Sequence, residues 1–138
     1  MFKAKTIEVE AQGFCDIVDI TGEVKAFLTE TKMLNGQAVI FVAGSTAGVT
    51  TLEYEEGLIQ DLKEYFEKQI PRDKEYQHDK KWGDGNGFSH IRSAILGTSL
   101  TVPIINNELA LGTWQQLVLI DFDNKERSRK IIIQISGE

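Results

Sequence analysis

Ser99-Leu100-Thr101-Val102-Pro103-Ile104-Ile105, then Asn106-Asn107, then Leu109-Ala110-Leu111-Gly112-Thr113-Trp114-Gln115-Gln116-Leu117-Val118-Leu119-Ile120-Asp121-Phe122, is the stretch whose reading decides the fold. Apolar and β-branched residues crowd both sides of a pair of asparagines, so it reads as two strands flanking a turn. A further strand, Lys130 to Ser136, follows across Asp123-Asn124 and makes the C-terminal part a β meander. Pro103 has no N–H to give to a ladder and belongs at a sheet edge or bulge. Gly112-Thr113-Trp114-Gln115 breaks the longer run, as at a bulge or where something approaches the backbone, although a tryptophan most often simply packs.

Upstream, strands and helices are interspersed. Phe2 to Glu10 suits a strand, with Phe14 to Ile20 as its hairpin partner across Gln12-Gly13. Thr21 is placed to cap a helix through Val24, Phe27 and Leu28 that stops at Asn35-Gly36. Ala38 to Val42 is a continuous apolar run, hence a buried strand, and Val49 to Tyr54 is another. Leu58, Ile59, Leu62, Tyr65, Phe66 and Ile70 share one face of a helix that must end before Pro71. Ser89 is placed to cap a short helix closed by Gly97, with His90 in its first turn. The expectation is an α+β fold in a single domain over residues 1–138, with two to three helices among the strands.

The 138 residues are 41% hydrophobic, enough for one real core. A net charge of −6 disfavours a nucleic-acid binder, which needs a clustered basic face. The single cysteine, Cys15, excludes an intrachain disulfide and fits a reducing compartment. No run has the length of a membrane span or the character of a signal peptide, so no membrane partner and a cytoplasmic location are expected.

Both histidines fall in His78-Asp79-Lys80-Lys81-Trp82-Gly83-Asp84-Gly85-Asn86-Gly87-Phe88-Ser89-His90, a segment that reads as irregular and tightly turned. His78, Asp84 and His90 are the candidate metal ligands and proton carriers, since two imidazoles and a carboxylate form a donor set with open positions. Spacing alone leaves a second use open, a polar loop whose histidines hydrogen-bond to the backbone. Asp84-Gly85-Asn86-Gly87 is no calcium loop, because Phe88 takes the next ligand position. The glycines also miss the dinucleotide spacing. In Gly44-Ser45-Thr46-Ala47-Gly48, the amides and the hydroxyls of Ser45 and Thr46 suit an anion, though a tight connection between strands explains the run equally. Glu53 adds a carboxylate near a strand end, where an exposed surface glutamate is the default.

Leu96-Gly97-Thr98-Ser99-Leu100-Thr101-Val102-Pro103 followed by Leu109 to Gln116 closely resembles the signature of the YjbQ-like family, also called the secondary thiamine-phosphate synthase family. The likeness continues through Glu53, Pro71, Tyr76-Gln77-His78, Asp84 and His90-Ile91-Arg92-Ser93. It implies a β-sandwich of mostly antiparallel strands, assembled as a homotrimer with sheets around the threefold axis, and a polar pocket of His78, Asp84, His90, Arg92, Thr113 and Gln115 holding a divalent metal, zinc or magnesium. It also implies weak thiamine-phosphate synthase activity, joining a pyrimidine diphosphate to a thiazole phosphate. On that reading His78, Asp84, His90 and Arg92 are catalytic. Ser45, Thr46, Glu53, Asn86, Thr113 and Gln115 bind a small anionic or phosphorylated metabolite. The alternative is a non-catalytic trimeric module that binds a metabolite or metal. One departure is Gly44, where many bacterial relatives have a histidine.

Overall fold

The computed structural model describes residues 1–138 as eight strands and four helices. A five-stranded antiparallel sheet runs β1 (Phe2–Ala11), β8 (Arg127–Gly137), β3 (Gly36–Val42), β5 (Ser99–Ile105), β6 (Glu108–Leu109). A three-stranded antiparallel sheet runs β2 (Asp16–Asp19), β7 (Gln116–Asp121), β4 (Ala47–Leu52). The α+β sandwich is as expected, with one helix more.

Side-chain alternation stacks the layers. Ile131, Ile133 and Ile135 of β8 and Ala38, Ile40 and Val42 of β3 point inward, where they meet Leu117 and Leu119 of β7. The opposite face of β7, Val118 and Ile120, with Phe122 just beyond it, meets Phe66 of α2 (Glu56–Gln69) and Phe88 of α4 (Gly87–Leu96). The middle of this strand, Leu117 to Ile120, is continuously apolar because it lies between the sandwich core and a helical layer. Helix α1 (Thr21–Thr31) sends Val24, Phe27 and Leu28 into the sandwich core.

Several local expectations are corrected. β1 and β2 are not a hairpin. β1 pairs along its whole length with β8, and β2 pairs with β7 in the other sheet. The crossing between them, Gly13-Phe14-Cys15, has φ of 82°, 53° and 66°. A Cβ on Gly13 would lie 2.5 Å from the Asp123 carbonyl oxygen, so only glycine lets this crossing pack against the one after β7. β7 and β8 likewise belong to different sheets, so the C-terminal strands are not a meander. Leu109 to Phe122 is two strands, and Gly112 to Gln115 carries the chain from one sheet to the other. Asn106 and Asn107 make the expected tight hairpin, both with positive φ (52° and 63°), as a type I′ turn requires. The Pro103 carbonyl accepts from Ala110 N at 2.9 Å, so its nitrogen faces the same side, beyond the short β6, where no ladder donor is needed.

Thr21 is the first helical residue of α1 and not its cap. Asp19 Oδ1 accepts from Thr21 N (2.9 Å) and Oγ1 (2.6 Å), and the helix stops at left-handed Lys32, before Asn35-Gly36. Helix α2 ends before Pro71 as expected, with Tyr65 exposed rather than on its buried face. The segment read as irregular holds α3 (Gln77–Trp82) and the start of α4, which Asn86 and not Ser89 precedes.

A candidate metal centre at the α3–α4 corner

Two left-handed glycines, Gly83 (φ 70°) and Gly85 (φ 69°), turn the chain back between α3 and α4. Asp79 Oδ1 accepts from Gly87 N at 2.8 Å and ties the two helices together. A Cβ on Gly87 would lie 2.7 Å from Cβ of Tyr76 and 3.0 Å from that carboxylate oxygen, so the closeness of the corner depends on glycine.

The corner gathers His78, Asp79 and Asp84, whose ligand atoms all lie within 4.8 Å of one another. His78 Nδ1 is 3.5 Å from Asp84 Oδ1 and 3.7 Å from Asp79 Oδ1, and this buried nitrogen has no hydrogen-bond partner. Both distances are too long for good hydrogen bonds. Two ligands about 2.1 Å from a tetrahedral ion stand about 3.4 Å apart, so these separations suit a shared cation. His90 lies beside the set rather than in it. Its ring centroid is 4.2 Å from that of His78, with the planes at 37°. Burial and the neighbouring His78 push the His90 pKa below its ordinary value, against the opposing pull of Asp123, Asp84 and Asp79. The imidazole is therefore neutral at neutral pH, the form that accepts a proton or binds a metal.

His90 divides two cavities. One, about 550 Å³, is lined by Lys74, Tyr76, His78, Gly87, His90 and Ile91 among others. The second, about 420 Å³, is lined by Gly44, Ser45, His90, Ser93, Ala94, Gly97 and Thr98. Ser45 thus lines one cavity together with His90. Thr46 and Asn86 are buried beside it, both hydrogen-bonded to Asp123: Thr46 Oγ1 donates at 3.0 Å and Asn86 Nδ2 at 3.3 Å.

Four expected site residues lie elsewhere. Arg92 is 1% exposed and turned away from His90, with its guanidinium donating to the Ile70 carbonyl (2.7 and 3.1 Å) and to Glu67 (3.0 Å). It is two helical positions from His90, too far round the helix to share its face. Thr113 and Gln115 line a separate cavity of about 580 Å³ with Thr21 and Lys25. Gln115 is committed to local bonds, donating to Thr51 Oγ1 at 2.9 Å and accepting from Gly112 N at 3.0 Å. Glu53 is exposed just past β4.

Sequence reasoning missed Asp79 and a buried ionic network behind Asn86. Arg129 grips Asp121 with two bonds (2.7 and 2.9 Å), and Arg127 donates to Asp123 at 2.9 Å. Burial alone would raise the Asp123 pKa. Hydrogen bonds from Asn124 N, Asn86 and Thr46, with the Arg127 charge, outweigh it and hold the carboxyl below its ordinary value. The available signal was the two-residue period of β8, which puts Arg129 on the same face as Ile131 and Ile133.

The two-sheet α+β sandwich defines the fold, and comparison places the chain in a family. It belongs to the UPF0047 protein YjbQ-like family, whose profile matches residues 5–138. A UPF0047 protein of Archaeoglobus fulgidus is 34% identical over 119 residues, covering 86% of this chain and 90% of that one. UPF0047 protein YugU of Bacillus subtilis is 34% identical over 134 residues, 96% and 98% of the two chains. The crystal structure of a YbjQ-like protein of unknown function from Sulfolobus solfataricus superposes with a TM-score of 0.89 at 28% identity over the full length of both. A hypothetical protein from Aeropyrum pernix gives 0.91 at 27% identity, covering 99% of each chain.

Proposed function

We propose that His78, Asp79 and Asp84 hold a divalent cation and that the pocket beside them takes a small phosphorylated or carboxylated metabolite. The observation that carries this reading is the buried, unpartnered His78 Nδ1 set 3.5 and 3.7 Å from two carboxylate oxygens. A bound cation would neutralise charge on a phosphate or diphosphate leaving group. His90, neutral and packed against His78, is free to accept a hydrogen bond or a proton from a bound ligand. Asp79 also fixes the start of α4 and thereby the place of His90.

By resemblance, the reaction joins the pyrimidine of a pyrimidine diphosphate to the ring nitrogen of a thiazole phosphate with release of diphosphate, carried out by a homotrimer in the cytoplasm. A buried Cys15, whose thiol pKa burial pushes up to about 11, is compatible with that compartment because it stays protonated and unreactive. A non-catalytic binding module is the second reading. It is favoured by the placement of Arg92, Thr113 and Gln115 away from the histidines within one chain.

Metal content of protein purified without an affinity tag tests the cation. His78→Ala and Asp84→Ala should lose the metal, and His90→Ala should keep it. Equal metal in wild type and the first two variants refutes the assignment. Turnover of the two thiamine precursors, compared with Asp84→Ala, separates enzyme from module.

A further inference from the structure

Arg129 is 7% exposed, and three of its donor contacts are taken: Nε and Nη2 grip Asp121, and Nη2 also donates to Thr46 Oγ1 at 2.6 Å. Its third nitrogen, Nη1, makes no hydrogen bond within the chain. The buried side-chain polar atoms without a partner are His78 Nδ1 and Asn86 Oδ1, so Arg129 Nη1 keeps contact with solvent. That nitrogen lies 2.9 Å from the position a Cβ on residue 44 would occupy. The missing side chain of Gly44 is what leaves this edge of the guanidinium uncovered. Gly44 and Ser45 in turn line the cavity of about 420 Å³ that His90 walls on one side.

We propose that Arg129 Nη1, reached through the gap at Gly44, forms with the exposed Ser45 hydroxyl a subsite for the phosphate or carboxylate group of a small-molecule ligand. The guanidinium is locked by Asp121, so little side-chain freedom is lost when it meets an anion. Arg127 and Arg129 balance Asp121 and Asp123, so an arriving anion faces no net negative charge from the network. The other wall residues, Ser93, Ala94, Gly97 and Thr98, are small and leave the space open. Because His90 lines both cavities, the anion sits on one side of it and the His78 corner on the other. The subsite deepens the cation-site reading and rests on it for the role of that far side, while its own test needs no metal.

The test is calorimetric titration of inorganic phosphate into protein stripped of metal by a chelating resin, at neutral pH and constant ionic strength. Wild type should bind saturably, and Gly44→Ala, which sets a methyl against Nη1, should weaken binding about tenfold or more, as for loss of a charge-assisted hydrogen bond. Ser45→Ala should weaken it less. With arginine side-chain nitrogens labelled, phosphate should move the Arg129 resonances in the NMR spectrum and leave those of Arg92 in place. Unchanged binding by Gly44→Ala, absence of saturable binding by wild type, or still Arg129 resonances would overturn the subsite. A parallel zinc titration keeps the two readings apart. Phosphate binding without zinc binding removes the cation site and leaves the subsite standing, and zinc binding without phosphate binding does the reverse.

Discussion

Removing the Asp123 carboxylate probes the network that supports the site. Asp123 is 1% exposed and accepts from Asn86 Nδ2, Thr46 Oγ1, Arg127 Nε and Asn124 N. Breaking a buried ion pair by deleting one partner costs about 3–5 kcal/mol. The low end applies because the Arg127 side chain is 39% exposed and recovers hydration, while Arg129 keeps its bidentate grip on Asp121. Three side-chain hydrogen bonds at roughly 1 kcal/mol each give the same figure. Asp123→Ala should therefore lose about 3 kcal/mol in urea unfolding with an unchanged slope, and a loss under about 1 kcal/mol would refute the reasoning. Asp123→Asn, which keeps the shape, should lose less. The carboxyl has a depressed folded pKa, so its contribution is present above the ordinary value of 3.8 and disappears as pH falls through the lower folded value. The gap between wild type and Asp123→Asn should close in that acid range. Asp123 also favours the protonated form of His90, so either substitution should lower the His90 pKa further when it is followed by NMR.

Three other outcomes are expected. Arg92→Leu should lose about 2–3 kcal/mol in denaturant unfolding, as its bonds to the Ile70 carbonyl and Glu67 are broken, yet leave metal content unchanged. Because the folded His90 pKa lies below 6.5, the unfolded chain binds more protons between those two values, so stability should fall as pH drops through that window; His90→Gln should flatten the slope. Cys15, 3% exposed with a pKa near 11, should react with a thiol reagent in the native protein only after opening, and rapidly in denaturant.

The parts of the fold that declared themselves in the sequence are those with strong local signals. Pro71 and Gly97 end α2 and α4, Asn106-Asn107 turns the β5–β6 hairpin, and an isoleucine-rich run from Ile131 to Ile135 marks β8. Helix α3 was hidden because none of its residues is buried, so it has no apolar period to read. Sheet assignment was hidden for a different reason. The best local partner for β1 looks like β2, but β8, more than a hundred residues away, offers ten paired positions across from it. Within the site, His78 and Asp84 come together and His90 packs beside His78, because glycines with positive φ turn the chain back between α3 and α4. Asp79 escaped notice because adjacent residues on a helix do not share a face, and it joins His78 only through its bond to Gly87. Arg92 was placed in the pocket by resemblance alone, whereas its spacing of two residues from His90 on a helix sets it on another face. Arg129 and its aspartates went unread because only the packing of the two sheets buries them together.

Anomalous diffraction at the zinc edge, from crystals grown with stoichiometric zinc, tests the central claim most directly. The expected result is one peak within about 2.0–2.2 Å of His78 Nδ1 and of a carboxylate oxygen from Asp79 or Asp84. A peak elsewhere, or none at this corner with His78 Nδ1 still bare, would contradict it.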